Sequence, residues 1–216
     1  MRYDEVVRRL TPLPEALPEG PAALIPVLAE TGGPRPRPTF EAAGGTSRPA
    51  AVLVLLFPGE DGEARILLTE RTDRGGHHSG EVSFPGGRAE PGDADLTATA
   101  LREAAEEVGL DVTTPGLRVL GTLPVQWIPV SNFTVTPVVA VASARPSWTP
   151  QVSEVAAILE VPVRAFLPGA ELLHVEREIR GWQVRYAAYP IEGLAVWGMT
   201  ARVLGGLGAW LGRFGA

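Results

Sequence analysis

Arg102-Glu103-Ala104-Ala105-Glu106-Glu107-Val108-Gly109-Leu110 places three carboxylates within five positions of a sequence that reads as helix. At 100° per residue, with Glu103 at zero, Glu107 falls about 40° to one side and Glu106 about 60° to the other. Leu101, Ala105 and Val108 occupy the opposite half of the wheel, so one face is acidic and the other apolar. Like charges three and four residues apart destabilise a helix by about 0.2–0.5 kcal/mol per pair, and a bound cation offsets that repulsion. Hard divalent ions such as Mg²⁺ or Mn²⁺ prefer carboxylate oxygen and share it with water and phosphate. The chemistry suggested is metal-assisted attack on a phosphate, with Glu103, Glu106 and Glu107 as metal ligands. The alternative for an isolated E-x-x-E-E string is a solvated helix face.

The elements that must position these groups are legible around them. Asp95 is suited to N-cap a helix starting at Leu96, and Gly109 to end it in the left-handed conformation, giving a helix over about 96–108. Arg102 is expected to orient the glutamates, because a guanidinium fork matches carboxylates two at a time, the alternative being a plain helix-surface ion pair.

These residues resemble the box of the Nudix hydrolases, G-x(5)-E-x(7)-R-E-U-x-E-E-x-G-U, where U is a bulky aliphatic residue. Ala104 stands at the first U and Leu110 at the last. Counting from Gly87, Asp93 stands where the box has its middle glutamate, and eight residues rather than seven separate it from Arg102. Upstream, Leu67-Leu68-Thr69-Glu70-Arg71-Thr72, His78 and Gly80-Glu81-Val82-Ser83-Phe84-Pro85-Gly86-Gly87 are similar to the pre-box signature of coenzyme A pyrophosphatases, L-L-T-x-R-S-x-x-L-R-x-H-x-G-x-V-x-F-P-G-G. Gly75 and Gly76 replace its Leu-Arg pair. Downstream, Asn132 to Val139, Glu154-Val155, Val161-Pro162-Val163, Glu192 and Val196 to Ala201 continue the likeness.

The resemblance implies an α+β Nudix fold, an α/β/α sandwich with a mixed central sheet, and metal-dependent hydrolysis of the pyrophosphate bond of coenzyme A or its derivatives. The products would be 4′-phosphopantetheine and adenosine 3′,5′-bisphosphate. It implies Glu106, Arg102 and Glu103 as catalytic residues, with Glu106 accepting the proton of the attacking water and Glu154 as a contributor from outside the box. Mg²⁺ or Mn²⁺ would be held by Glu103, Glu106 and Glu107. Arg71, Arg74, His78, Gly86, Gly87 and Asn132 would meet the substrate, a small nucleotide of the coenzyme A class. A pyrophosphatase for ADP-ribose or another nucleoside diphosphate derivative, and a non-catalytic nucleotide-binding regulator, stand as alternatives.

Composition narrows the classes. The chain has no cysteine, which excludes disulfides, thiol nucleophiles and Cys-type zinc sites. All nineteen basic residues are arginine, which excludes Schiff-base chemistry and a P-loop lysine. The net charge of −6 argues against nucleic acid as partner, since an extended phosphate backbone needs a basic footprint. The N-terminal MRYDEVVRRL has no apolar core of a signal peptide, and the run from Ala50 to Phe57 is far short of a membrane span. A cytoplasmic enzyme without membrane contact is expected, with a homodimer through apolar edges left open.

Two regions are expected: an N-terminal helix and Pro-rich extension over 1–49 packing on the domain, and the Nudix domain over 50–216. Asp4 to Leu10 reads as a short helix, and the eight prolines between Thr11 and Pro38 favour extended backbone. Residues 29–49 read as a loop. Strands are expected at 50–57 and 64–70 as a hairpin, then at 81–84, 117–122, 133–142, 154–160, 171–179 and 183–189. A helical piece near 163–167 and a terminal helix near 197–212, weakened by Gly205, Gly206, Gly208 and Gly212, complete the reading. Trp197 and Met199 read as core residues of that helix. His77 and His174 read as structural.

Overall fold

A computed structural model describes residues 1–36, 39–41, 44–72, 81–114 and 116–214. In chain order the elements are α1 (Tyr3–Arg9), β1 (Val27–Leu28), β2 (Arg48–Pro58), β3 (Ala64–Arg71), β4 (Val82–Ser83), β5 (Gly86–Arg88), α2 (Leu96–Val108), β6 (Arg118–Thr122), β7 (Gln126–Ile128), β8 (Phe133–Val141), β9 (Val155–Pro162), β10 (Leu173–Ile179), β11 (Trp182–Ile191), β12 (Leu194–Val196) and α3 (Gly198–Gly212). Short 3₁₀ turns cover Ala22–Leu24 and Val163–Phe166. The chain divides into two compact units, one of Met1–Ala16 with Thr46–Val163, the other of Leu17–Gly45 with Arg164–Ala216.

The first unit is built on a mixed eight-stranded sheet ordered β4-β3-β2-β8-β6, with β5 added to β2, β7 to β8 and β9 to β3. Strands β2 and β8 run parallel, from Arg48 beside Phe133 to Leu56 beside Val141, while the other pairs are antiparallel. Side chains alternate across a strand. Ala51, Leu53, Leu55 and Phe57 of β2 therefore share a face with Val138 and Ala140 of β8, and that face is sealed by Ala100, Ala104 and Val108 of α2. Alanine at 51, 100 and 104 lets the helix axis come close to the strands. Because Ala104 has no exposed surface, a bulky residue at this box position would force helix and sheet apart.

The strand expected over 81–84 is shorter, Val82–Ser83, and a second short strand, Gly86–Arg88, follows it. Gly86 and Gly87 pair with Val52 and Ala51. A Cβ on Gly86 would run into the backbone of Ala51 and Val52, so only glycine lets β5 lie this closely on β2.

The second unit holds a four-stranded sheet in which β11 pairs with β1, β10 and β12. Its two hairpins turn at Arg180-Gly181 and Glu192-Gly193, where all four residues have positive φ. Two consecutive left-handed residues match the twist of a tight hairpin. Helix α3 runs through its glycines because they are contact surfaces. Cβ atoms at Gly205 and Gly206 would press on Leu24 and Leu17, and one at Gly208 would overlap the Phe166 carbonyl. Burial thus replaces the helix propensity that those glycines lack.

Candidate active site

Helix α2 starts and stops where its sequence directs. The Asp95 side chain accepts from the Ala98 N–H at 2.8 Å, and Gly109 is left-handed with φ 68°. Beyond Gly109 the chain returns to the helix end: the Thr149 N–H donates to the Val108 carbonyl and the Gln151 N–H to the Glu107 carbonyl, both at 2.8 Å. These bonds satisfy carbonyls that a helix terminus leaves unpaired, and they bring the loop carrying Glu154 to the acidic face.

The three box glutamates meet different surroundings. Glu107 is 4% exposed. Its Oε2 accepts from the Gly86 N–H at 3.2 Å, and its Oε1 lies 4.0 Å from Arg71 Nη1. Burial pushes its pKa up to about 7, with the Gly86 amide and Arg71 opposing and the charges of Glu103 and Glu154 adding to the rise. Glu103 stands over Gly87, where a Cβ would come within 2.5–2.6 Å of its carboxylate. Burial raises its pKa as well, against Arg102 and with Glu106 and Glu154. Glu106 is the outer member, its side chain 60% exposed and its Oε2 3.0 Å from Arg102 Nη1.

Arg102 is the hub of the cluster. Its Nε donates to Asp93 Oδ1 at 2.9 Å and its Nη2 to Asp93 Oδ2 at 3.2 Å. Nη2 also lies 3.0 Å from Glu103 Oε1 and donates to the Arg88 carbonyl at 3.1 Å. Asp93 accepts further from Thr99 Oγ1 at 2.8 Å and the Glu90 N–H at 2.9 Å. These donors, Arg102 first, hold its carboxyl well below the usual range. The shorter Asp side chain, displaced one position in sequence, thus reaches the box arginine. Thr99 is a member that the sequence reading did not single out, and only its position four residues after the capping Asp95 hinted at a polar inward role.

Among the described residues, no three His, Asp or Glu side chains converge as a ready metal site. Arg102 is ion-paired with both Glu103 and Glu106, so one guanidinium takes up charge that a cation would otherwise receive. The donor set nevertheless fits a hard divalent ion: Glu103 and Glu107 are both desolvated, the charge of Glu103 raises the pKa of Glu107, and both offer only oxygen.

Of the remaining expected residues, Arg71 is 44% exposed at the end of β3, where a register shift between Glu70 and Arg71 breaks the ladder with β9. Asn132 has φ 53°, and its carboxamide accepts from Trp127 Nε1 and donates to the Thr46 carbonyl, both at 3.1 Å. His174 is exposed on β10. Arg74, Gly75, Gly76, His77 and His78 lie outside the described residues. No helix among the described residues is long and apolar enough to cross a membrane.

The mixed sheet, with an Arg-clamped acidic helix laid against a Gly-Gly strand, is the arrangement of a Nudix domain. The family model for the NUDIX domain matches residues 47–182, and the chain belongs to this family. It is 37% identical over 161 residues to Nudix hydrolase 15, mitochondrial, of Arabidopsis thaliana, covering 72% of this chain and 55% of that protein. It is 36% identical over 162 residues to the uncharacterized Nudix hydrolase NudL of Yersinia pestis, covering 74% of this chain and 77% of that protein. Among solved structures it is similar to RenU, a Nudix hydrolase from M. smegmatis, with 26% identity, 55% of this chain and 72% of that chain covered, and a TM-score of 0.45. The chain spans about half the length of the plant relative.

Proposed function

We propose that this chain is a metal-dependent pyrophosphohydrolase acting on nucleoside diphosphate derivatives, and that its substrate is coenzyme A or a CoA derivative. The observation that carries the hydrolase reading is the pair of desolvated carboxylates, Glu103 and Glu107, held against Gly87 and Gly86 beside the Arg102 clamp. Burial of two like charges is unfavourable without a counter-ion, and a cation bridging them to a pyrophosphate supplies one.

In this reading Glu103, Glu106 and Glu107 hold Mg²⁺ or Mn²⁺, which when bound neutralises phosphate oxygens and lowers the pKa of water. Glu106, the most exposed of the three, accepts the proton as the water oxygen bonds to phosphorus and the bridging P–O bond breaks. Glu154 adds negative potential from outside the box, which makes Glu103 and Glu107 more basic. Arg102 positions Glu103 and Glu106, and Arg71 faces the phosphates from β3.

The coenzyme A assignment rests on the likeness of Leu67 to Gly87 to the pre-box signature. The Gly75-Gly76 replacement favours a second reading, in which ADP-ribose or a related dinucleotide is the substrate. The test is chromatographic product analysis with coenzyme A and ADP-ribose in parallel, each with Mg²⁺, Mn²⁺ or chelator. Metal-dependent release of adenosine 3′,5′-bisphosphate is expected. Cleavage of ADP-ribose with coenzyme A untouched would overturn the substrate and leave the hydrolase reading standing. A cytoplasmic location and a homodimer belong to the same proposal.

A further inference from the structure

The face of the sheet opposite α2 carries an organised pair of cations. Ala51, Leu53 and Leu55 point to the helix, so Arg48 and Ala50 point to the other side. Arg88 is directly opposite Ala50 across β5 and β2, and Phe133 is directly opposite Arg48 across β2 and β8. Directly opposed residues share a face, and diagonal neighbours stand about 7–8 Å apart, within reach of long side chains. Arg88, Arg48 and Phe133 therefore line one surface, with buried Ala50 and Val135 as its floor.

The two arginines differ in how they are held. The Arg48 guanidinium lies 4.1 Å from the Phe133 ring centroid, and its Nη2 donates to the Ser131 carbonyl at 2.8 Å. That stack and bond orient the fork while most of its five donors stay available. Arg88 is exposed, with no side-chain bond of its guanidinium among the described residues. Its backbone is fixed at both ends of the interaction, by the pairing with Ala50 and by Arg102 Nη2 on its carbonyl. Arg88 is also two residues from Gly86, whose N–H holds Glu107, a separation of about 7 Å along an extended strand. In a chain of net charge −6, an oriented Arg48 and an exposed Arg88 on one surface favour an anion.

We propose that Arg48 and Arg88 bind a phosphate monoester carried by the nucleotide substrate in addition to its pyrophosphate. A guanidinium pair matches the tetrahedral oxygens of a monoester bidentately, and a diester or a bare ribose hydroxyl offers fewer. The assignment deepens the coenzyme A reading, since that substrate bears a monoester on its ribose, and it names Arg48, outside both the box and the pre-box signature, and Arg88, at a variable position of the box.

Binding measured by calorimetry in chelator, without turnover, tests it. The probes are adenosine 3′,5′-bisphosphate and adenosine 5′-monophosphate, titrated into the whole chain and into Arg48→Gln, Arg88→Gln and Arg88→Lys. Loss of one charge-assisted contact corresponds to about tenfold in Kd. The bisphosphate is expected to weaken about tenfold in each Gln variant, less in Arg88→Lys, with the monophosphate changed less than twofold. Equal weakening of both probes, or no discrimination by the unaltered chain, would overturn the proposal. Thermal melting of each variant establishes that a loss reflects the exposed side chain and not unfolding. If the unaltered chain fails to cleave coenzyme A yet keeps the discrimination and loses it in the variants, the substrate reading falls and the monoester site stands.

Discussion

Arg102 and Asp93 face each other as a two-pronged ion pair, Nε to Oδ1 at 2.9 Å and Nη2 to Oδ2 at 3.2 Å, across nine positions of sequence. The pair fixes the guanidinium that in turn fixes Glu103 and Glu106. Asp93→Asn is expected to weaken Mg²⁺ or Mn²⁺ binding and activity by about tenfold, the usual scale for a group that orients ligands. Metal titration followed by calorimetry measures the first effect independently of turnover. Because the folded state holds Asp93 below its ordinary pKa, its contribution to stability is complete above about pH 4 and is lost as pH falls through the lower folded value. Denaturation of the native chain between pH 5 and 2 should therefore be steeper than that of Asp93→Asn.

Glu107 carries the opposite sign. Its pKa is pushed up to about 7, so the folded state binds a proton more tightly than the unfolded chain. In chelator, the stability associated with that proton is full below about pH 4.5 and lost as pH rises through about 7, a change of up to about 3 kcal/mol. Glu107→Gln should raise the metal-free melting temperature at pH 8 while abolishing metal-dependent hydrolysis. A melting temperature unchanged or lowered at pH 8 in chelator would refute the account of Glu107 as a strained carboxylate.

Gly87 is expected to be intolerant for a local reason. A methyl group there would sit 2.5–2.6 Å from the Glu103 carboxylate and displace it. Gly87→Ala should lose about a hundredfold in kcat, the scale for an ångström of misplacement at a reacting centre. Its far-ultraviolet circular dichroism should match the unaltered chain.

Gly208 should reverse an ordinary rule. Glycine to alanine in an exposed helix stabilises by about 1 kcal/mol. Here the added Cβ would overlap the Phe166 carbonyl oxygen, so Gly208→Ala should destabilise by about 1–3 kcal/mol in urea denaturation.

Tyr189 supplies a control in the same unit. Its buried hydroxyl has no hydrogen-bond partner among the described residues, and burial raises its pKa to about 12. An unpartnered buried hydroxyl is unfavourable, so Tyr189→Phe should leave stability unchanged or raise it by up to about 1 kcal/mol. Thermal melting at pH 7 measures this.

Local signals made α2 readable: a capping Asp95, an apolar stripe and a terminal Gly109 gave the helix its observed bounds of Leu96–Val108. The long strands were readable for a similar reason, since β2, β3 and β8 are runs of aliphatic residues deep in the core. The short strands were not, because β1, β7 and β12 have two or three residues each and exist through their partners. Strand β5 was hidden by its own composition, as Gly86-Gly87 signals a turn until Ala51 and Val52 are beside it. At the site, the wheel groups Glu103, Glu106 and Glu107 within about 100° of one another. It did not foresee that Arg102 would engage Glu103 and Glu106 while Glu107 turned inward to the Gly86 amide, which depends on β5 and not on helical spacing.

The closure of the α2 terminus by Thr149 and Gln151 makes completion of the acidic centre depend on chain far from the helix in sequence, and its assembly is expected to be late in folding. The carbonyls of Val108 and Glu107 receive their partners from chain some forty residues downstream, after β6, β7 and β8 have been laid in place. A partly folded intermediate in which α2 already exists would lack both the seal and the potential of Glu154. Metal affinity would then appear only with the final docking of that loop, and recovery of ion binding during refolding would date that step more sharply than recovery of helix signal.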